Sequence, residues 1–295
     1  MIMATNEGKS WWSRLFSAPA PPPKVSIGLA LGGGFARGIA HVGVLRAFER
    51  NNIPIDCIGG VSAGAIIAAA YASGTSLDDI EATASRMNFK DVARWTLSLM
   101  GFAASERMES FLHQLLKVHT FEQMKTPLAI VASDLSTGLP VVFHRLGDVC
   151  LPVRASCSYP GLFKPIQHNG KFLVDGGVTM ELPAKPLREM GATHIISVVL
   201  PAPEVAPDPA NMLAVVNRCF QILQRRVEPE WRAISDVVLA PEVDAHSWDG
   251  FRGAKRLVEA GEQAAEAAIP TIRAWLEPPR RGAAKRSNPQ RQFPR

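Results

Sequence analysis

The chain has 295 residues, 47% of them hydrophobic, enough for one large domain or two small ones. No run of 18 apolar residues exists, and the four cysteines (57, 150, 157, 219) form no C-x-x-C pair. A spanning helix, a disulfide framework and a zinc site are therefore not expected, and a reducing, cytoplasmic compartment is.

The net charge of +5 belongs to one end: six Arg or Lys follow Pro279, and the rest of the chain sums to −1. That tail, 279–295, lacks hydrophobic periodicity and reads as disordered. No aromatic-interleaved basic groove occurs elsewhere, so nucleic-acid binding is not expected. Residues 1–24 read as an arm, with Trp11, Trp12 and Phe16 beside Lys9 and Arg14, joined by the Pro-rich linker "SAPAPPPK". Both termini suit peripheral contact with an anionic inner membrane surface, or are plain solvated ends.

The single domain expected over 25–278 opens with "VSIGLAL", a run of buried-strand length. The turn "GGGF" follows, then helical spacing from Ala36 to Asn51. "IDCIGG" is a second strand, and "SAGAIIAAAYASG" a helix apolar on nearly every side, hence buried in the middle of the domain. Further strands are predicted at Leu128–Ser133, Val141–His144, Phe172–Val174, Ile195–Leu200 and Val237–Ala240, with a last long helix from about Arg252 to Trp275. Alternating strands and helices predict an α/β fold with a largely parallel sheet covered on both faces, with ligand sites at the carboxyl ends of strands. Phe89–Leu116, which contains Trp95, Leu97, Leu99, Met100 and Phe102, reads equally as an amphipathic cap over the site or as core helices.

Three turns carry chemistry. In "GGVSAG", Ser62 stands between a strand and a helix, flanked by Gly60 and Gly64. It reads either as a helix cap or as a hydroxyl projected beside a positive helix end. "GGGFARG", from Gly32 to Gly38, opens another helix and offers backbone N–H groups and Arg37, as a plain turn, a phosphate loop or an oxyanion hole. "LVDGG" sets Asp175 at a strand end, where an aspartate is commonly just a turn residue. Their joint occurrence suggests one site.

With "LALGGGFARGIAHVGVL", "GGVSAGA", "ASDLSTG", "RASCSYPGLFKPI" and "LVDGGV" in that order, the chain resembles the patatin-like phospholipase family, specifically its small bacterial members, from about Ile27 to Leu200. The resemblance implies a lipid acyl hydrolase with a Ser62–Asp175 dyad and an oxyanion loop at Gly33, Gly34, Phe35 and Arg37. It implies neither cofactor nor metal. Two positions depart from the pattern: the family usually has Gly at Phe35, and "VTMELPA" replaces an Asn-rich run after Asp175.

Three competing readings remain. A dinucleotide domain would use Gly32, Gly34, Gly38 and Asp56, but the spacing is G-x-G-x-x-x-G and Asp56 begins its strand. An α/β-hydrolase triad would need His246, since His41 and the other histidines read as helix, core or surface residues. A non-enzymatic regulator would keep the fold without turnover. Head group, chain length and oligomeric state are not encoded in any motif.

Overall fold

β1 (Ile27–Leu31) lies near the middle of an eight-stranded sheet. In the computed structural model, which describes residues 24–201, 208–243 and 253–277, it pairs in parallel with β2 (Cys57–Gly60) on one side. On its other side lies β9 (His194–Val198), itself parallel to β10 (Val237–Leu239). The aromatic arm, nearly all of the Pro-rich linker, His246 and the basic tail lie outside the described residues.

Successive side chains of a strand point to opposite faces, and here both faces are buried. Leu29, Leu31, Ile58, Ile196 and Val198 join one core, where α1 (Ala40–Arg50), α2 (Ala63–Ser73) and α9 (Ala254–Leu276) pack. Ala30, Cys57 and Ile195 join the other, against Leu187 of α7 (Ala184–Glu189) and Trp231 of α8 (Met212–Ile234). The largely parallel sheet with helices on both faces matches the sequence expectation. Cys57, Cys150, Cys157 and Cys219 are all free thiols.

The far half of the sheet departs from parallel order. β5 (Leu128–Asp134) runs parallel to β2, but β6 (Pro140–His144), β8 (Lys171–Asp175) and β7 (Ile166–His168) are antiparallel additions. β6 occupies one edge of β5 across Ala129–Ser133. β2 and β8 must therefore share the other edge, arriving from opposite directions. β2 ends with Gly60 opposite Ile130, and β8 ends with Asp175 opposite Ala132. Their ends are thus brought together, two residues (roughly 7 Å) apart along β5.

The segment read as cap or core helices is neither throughout. A short α4 (Phe89–Val92) leads into a hairpin, β3 (Arg94–Ser98) and β4 (Gly101–Ala104), before α5 (Glu106–Leu115). Ala103 ties the hairpin to the body, donating to Leu162 O at 2.8 Å and accepting from Lys164 N at 3.0 Å.

α1 carries the glycine-rich turn at its start, and α9 holds α1 in place by close approach. A Cβ on Gly43 would collide with the Val258 carbonyl, and one on Gly261 with that of Ala40. Gly43→Ala should therefore lower stability by about 2 kcal/mol in urea unfolding, although alanine is the better helix former. No loss would mean that the two helices do not touch as described.

Candidate active site

Ser62 sits between β2 and α2 with φ 54° and ψ −124°, a backbone conformation that a non-glycine residue holds only under strain. Although it occupies the N-cap position, its side chain makes no capping hydrogen bond. The sharp turn brings chain segments too close for side chains on either flank. A Cβ on Gly60 would strike Gly64 O, and one on Gly64 would strike Leu31 O. The hydroxyl thus stands at the start of a helix with the glycines absorbing the crowding.

The residues holding this turn come from "RASCSYPG", a stretch to which sequence reasoning gave no role. Ser62 N donates to Ser156 Oγ at 2.8 Å, and Cys157 Sγ donates to Ser62 O at 3.2 Å. One residue on, Ser158 O accepts from Asp175 N at 3.0 Å. Ser133 Oγ, from "ASDLSTG", donates to Asp175 O at 2.8 Å. Three consecutive residues, 156–158, therefore fasten both Ser62 and Asp175.

Asp175 is 1% exposed. Its Oδ1 accepts from Gly177 N at 2.9 Å, while Oδ2 is buried without a formed hydrogen bond. Burial pushes the carboxyl pKa up to about 7, against the opposing pull of the Gly177 N–H and the Ser62 hydroxyl. The hydroxyl thus acts on the carboxylate without a formed bond to it, a looseness common before substrate arrives.

The glycine-rich loop closes over the serine. A Cβ on Gly33 would lie 3.1 Å from Ser62 Cβ and 3.7 Å from its Oγ, so only glycine fits comfortably there. Phe35 has φ 51°, in the left-handed region, which explains why glycine suits that position. Phenylalanine costs on the order of 1 kcal/mol there. Its ring packs edge-on against Tyr159 (5.0 Å between centroids), and Tyr159 lies against Phe220 of α8 (4.8 Å). Arg37 donates to Pro201 O at 2.7 Å.

His41 is fully buried, and its Nε2 lies 2.9 Å from Gly32 O. Because a carbonyl only accepts, Nε2 carries the proton and donates. Burial lowers the imidazole pKa to about 4, so the ring is neutral and serves to pin the loop. Asp56 lies at the opposite end of the sheet, where its Oδ2 accepts from Ile27 N at 2.7 Å, remote from any ligand at the loop.

Gly33, Gly34, Phe35, Arg37, Ser62 and Asp175 all line one cavity of about 220 Å³. Its remaining wall includes Tyr159, Asn217 and Phe220, residues that the sequence did not single out. A second, larger cavity of about 740 Å³ is walled by Ile66, Phe89, Trp95, Met108, Phe163 and Leu213. Ser62 and Phe35 line both. The serine thus sits where a chamber of mixed polarity meets a mainly apolar one. Among the described residues, no cluster of three or more His, Cys, Asp or Glu is arranged to hold a metal.

A strained strand-to-helix serine, a glycine-rich loop and a buried aspartate on a mixed, largely parallel sheet define the class of this protein. The chain belongs to the patatin-like phospholipase family, whose model matches residues 29–188. It is 32% identical over 204 residues to the lysophospholipase NTE1 of Cryptococcus neoformans, covering 63% of this chain and 12% of that one. It is 33% identical over 184 residues to an uncharacterised NTE family protein of Mycobacterium tuberculosis, covering 61% and 51%. The chain thus spans about half, or far less, of the relatives it matches. Among solved structures, VipD from Legionella pneumophila shares the fold, with TM-score 0.57 at 13% identity over 85% of this chain and 67% of that one.

Ser156→Ala removes the acceptor of the Ser62 N–H. The expected result is a stability loss of about 1–2 kcal/mol and roughly tenfold lower ester hydrolysis, measured by urea unfolding and initial rates. Unchanged rates would show that the turn holds itself.

Proposed function

We propose that this protein is a serine lipid acyl hydrolase of the phospholipase A or esterase type, working through Ser62 and Asp175. The observation that carries the reading is the position of Ser62: it shares a chamber of mixed polarity with a buried carboxylate and also lines a large, mainly apolar cavity. An ester carbonyl at Ser62 would have room for its acyl chain on the apolar side and for its head group on the other. The family match and the lysophospholipase among its relatives support a lipid ester as substrate.

In the proposed mechanism, Asp175 takes the Ser62 proton as Oγ attacks the carbonyl carbon. Backbone N–H groups of Gly33, Gly34 and Phe35 receive the developing oxyanion, aided by the positive start of α2. The tetrahedral intermediate collapses to an acyl-serine as the alcohol leaves with the proton from Asp175. Water, deprotonated by the same carboxylate, then releases the fatty acid and restores the hydroxyl. An ordinary carboxylate is a weak base for an alcohol. Burial raises the basicity of Asp175 towards neutrality, and with it the driving force for proton transfer.

The same burial has a cost in stability. Between the ordinary value of 3.8 and the folded value of about 7, the folded chain keeps this proton and the unfolded chain has lost it. Native protein binds more protons in that window, so this group's contribution to stability declines as pH rises from about 4 to 7 and stays unfavourable above. Ser62→Ala and Asp175→Asn should each lower kcat on p-nitrophenyl esters by about 10²-fold or more. Asp175→Asn should nevertheless unfold later than wild type in urea at pH 8, by about 1–4 kcal/mol. His246→Ala should retain kcat within about twofold, because the proposed proton path runs from Ser62 to Asp175 without an imidazole. A fully active Asp175→Asn beside an inactive His246→Ala would replace the dyad by a triad.

A further inference from the structure

The hairpin of β3 and β4 exposes what a core usually hides. Trp95 is 66% exposed, Met100 52%, Phe102 41%, and Leu99 at the turn is completely exposed. From Trp95 to Ser105 the sequence "WTLSLMGFAAS" holds no charged residue. Several large apolar side chains exposed together on one hairpin mark an interaction site more often than chance exposure does.

Its position says what covers it. Trp95 lines the 740 Å³ cavity that reaches Ser62, and its ring packs on Phe89 (5.1 Å) in the same wall. The apolar lining therefore continues from the serine onto the outside of the molecule. At the base of the hairpin the surface becomes charged: Arg86, Lys90, Arg94 and Arg107 are exposed there beside Glu106, while Glu109 pairs with Arg154. Arg86, Lys90 and Arg107 line a shallow cleft that shares Met87 and Lys90 with the cavity. Asp79 and Asp91 line it too, but each serves as a cap partner, Asp79 to Ser76 and Asp91 to the Asn88 N–H.

An uncharged tip, an aromatic residue next to an arginine, and basic groups one layer behind suit a lipid surface. The tip would enter the acyl region while the basic side chains meet phosphate oxygens. We propose that the 94–104 hairpin docks on a phospholipid bilayer and opens the apolar cavity directly towards the acyl chains. This rests on the acyl-chain reading of that cavity. It assigns membrane contact to the hairpin, independently of the terminal segments.

The test uses the full chain and vesicles of equimolar phosphatidylcholine and phosphatidylglycerol, sedimented to measure the bound fraction. Leu99→Asp with Met100→Asp should weaken binding roughly tenfold or more, since two exposed apolar anchors become anions. Hydrolysis of a water-soluble p-nitrophenyl ester by that variant should stay within about twofold, because neither residue lines either cavity at Ser62. Leu99→Trp should bind about threefold more tightly than wild type, as tryptophan favours the bilayer interface. It decides the matter even if the double variant folds poorly. Ser62→Ala should bind like wild type, so a misassigned catalytic site and a missing docking face give different results. Vesicle binding by the Asp pair equal to that of wild type would overturn the proposal. So would Leu99→Trp binding no tighter than wild type. Self-association without vesicle binding, abolished by the Asp pair, would assign the face to a second copy of the chain and equally overturn it.

Discussion

One edge of β5 receives two strands from opposite directions, and the site depends on that arrangement. β2 runs parallel along the first half and stops at Gly60, while β8 runs antiparallel along the second half and stops at Asp175. Neither can extend without meeting the other. Both chains must therefore leave the sheet at the same place, one into α2 and one into a short turn of 3₁₀ helix. The 156–158 segment lies across this junction, bonded to Ser62 at two atoms and to Asp175 at one. Register, not side-chain reach, brings the hydroxyl and the carboxylate together.

Several unfavourable features are concentrated at that junction. Ser62 and Phe35 hold positive φ, and Asp175 is a buried carboxyl with one oxygen lacking a formed bond. Such features persist only where the surroundings over-determine them. Here those surroundings are two buried faces of a parallel sheet, the close contact of α1 with α9, and the His41 bond to the glycine loop. α8 packs on one more side: Phe220 lies over Gly177, beside the Asp175 carboxylate. The desolvation that makes the carboxyl basic is thus a product of the packing around it.

Much of this was legible in the sequence because the signals are local. A glycine-flanked serine after an apolar strand and an Asp-Gly-Gly after another identify strand ends from adjacent residues alone. The core strands of the sheet were readable for the same reason. What was not legible depends on partners distant in the chain. Nothing about Ser156 or Cys157 shows that their side chains bond a residue 94 or 95 positions earlier. Tyr159 and Phe220 become walls only once α8 lies over the site. The hairpin stayed open between cap and core for a different reason: Trp95, Leu99, Met100 and Phe102 carry a core's composition but occupy the surface, and composition alone cannot separate the two.

The central claim is that the buried Asp175 carboxylate activates the Ser62 hydroxyl. The rate of covalent labelling by a fluorophosphonate, followed against pH and mapped by mass spectrometry, measures that activation without any assumption about the natural lipid. The label should appear on Ser62, at a rate that rises through about pH 7 as the carboxyl ionises and is nearly abolished in Asp175→Asn. Labelling at another residue, or equal labelling of Ser62 in Asp175→Asn, would contradict the account.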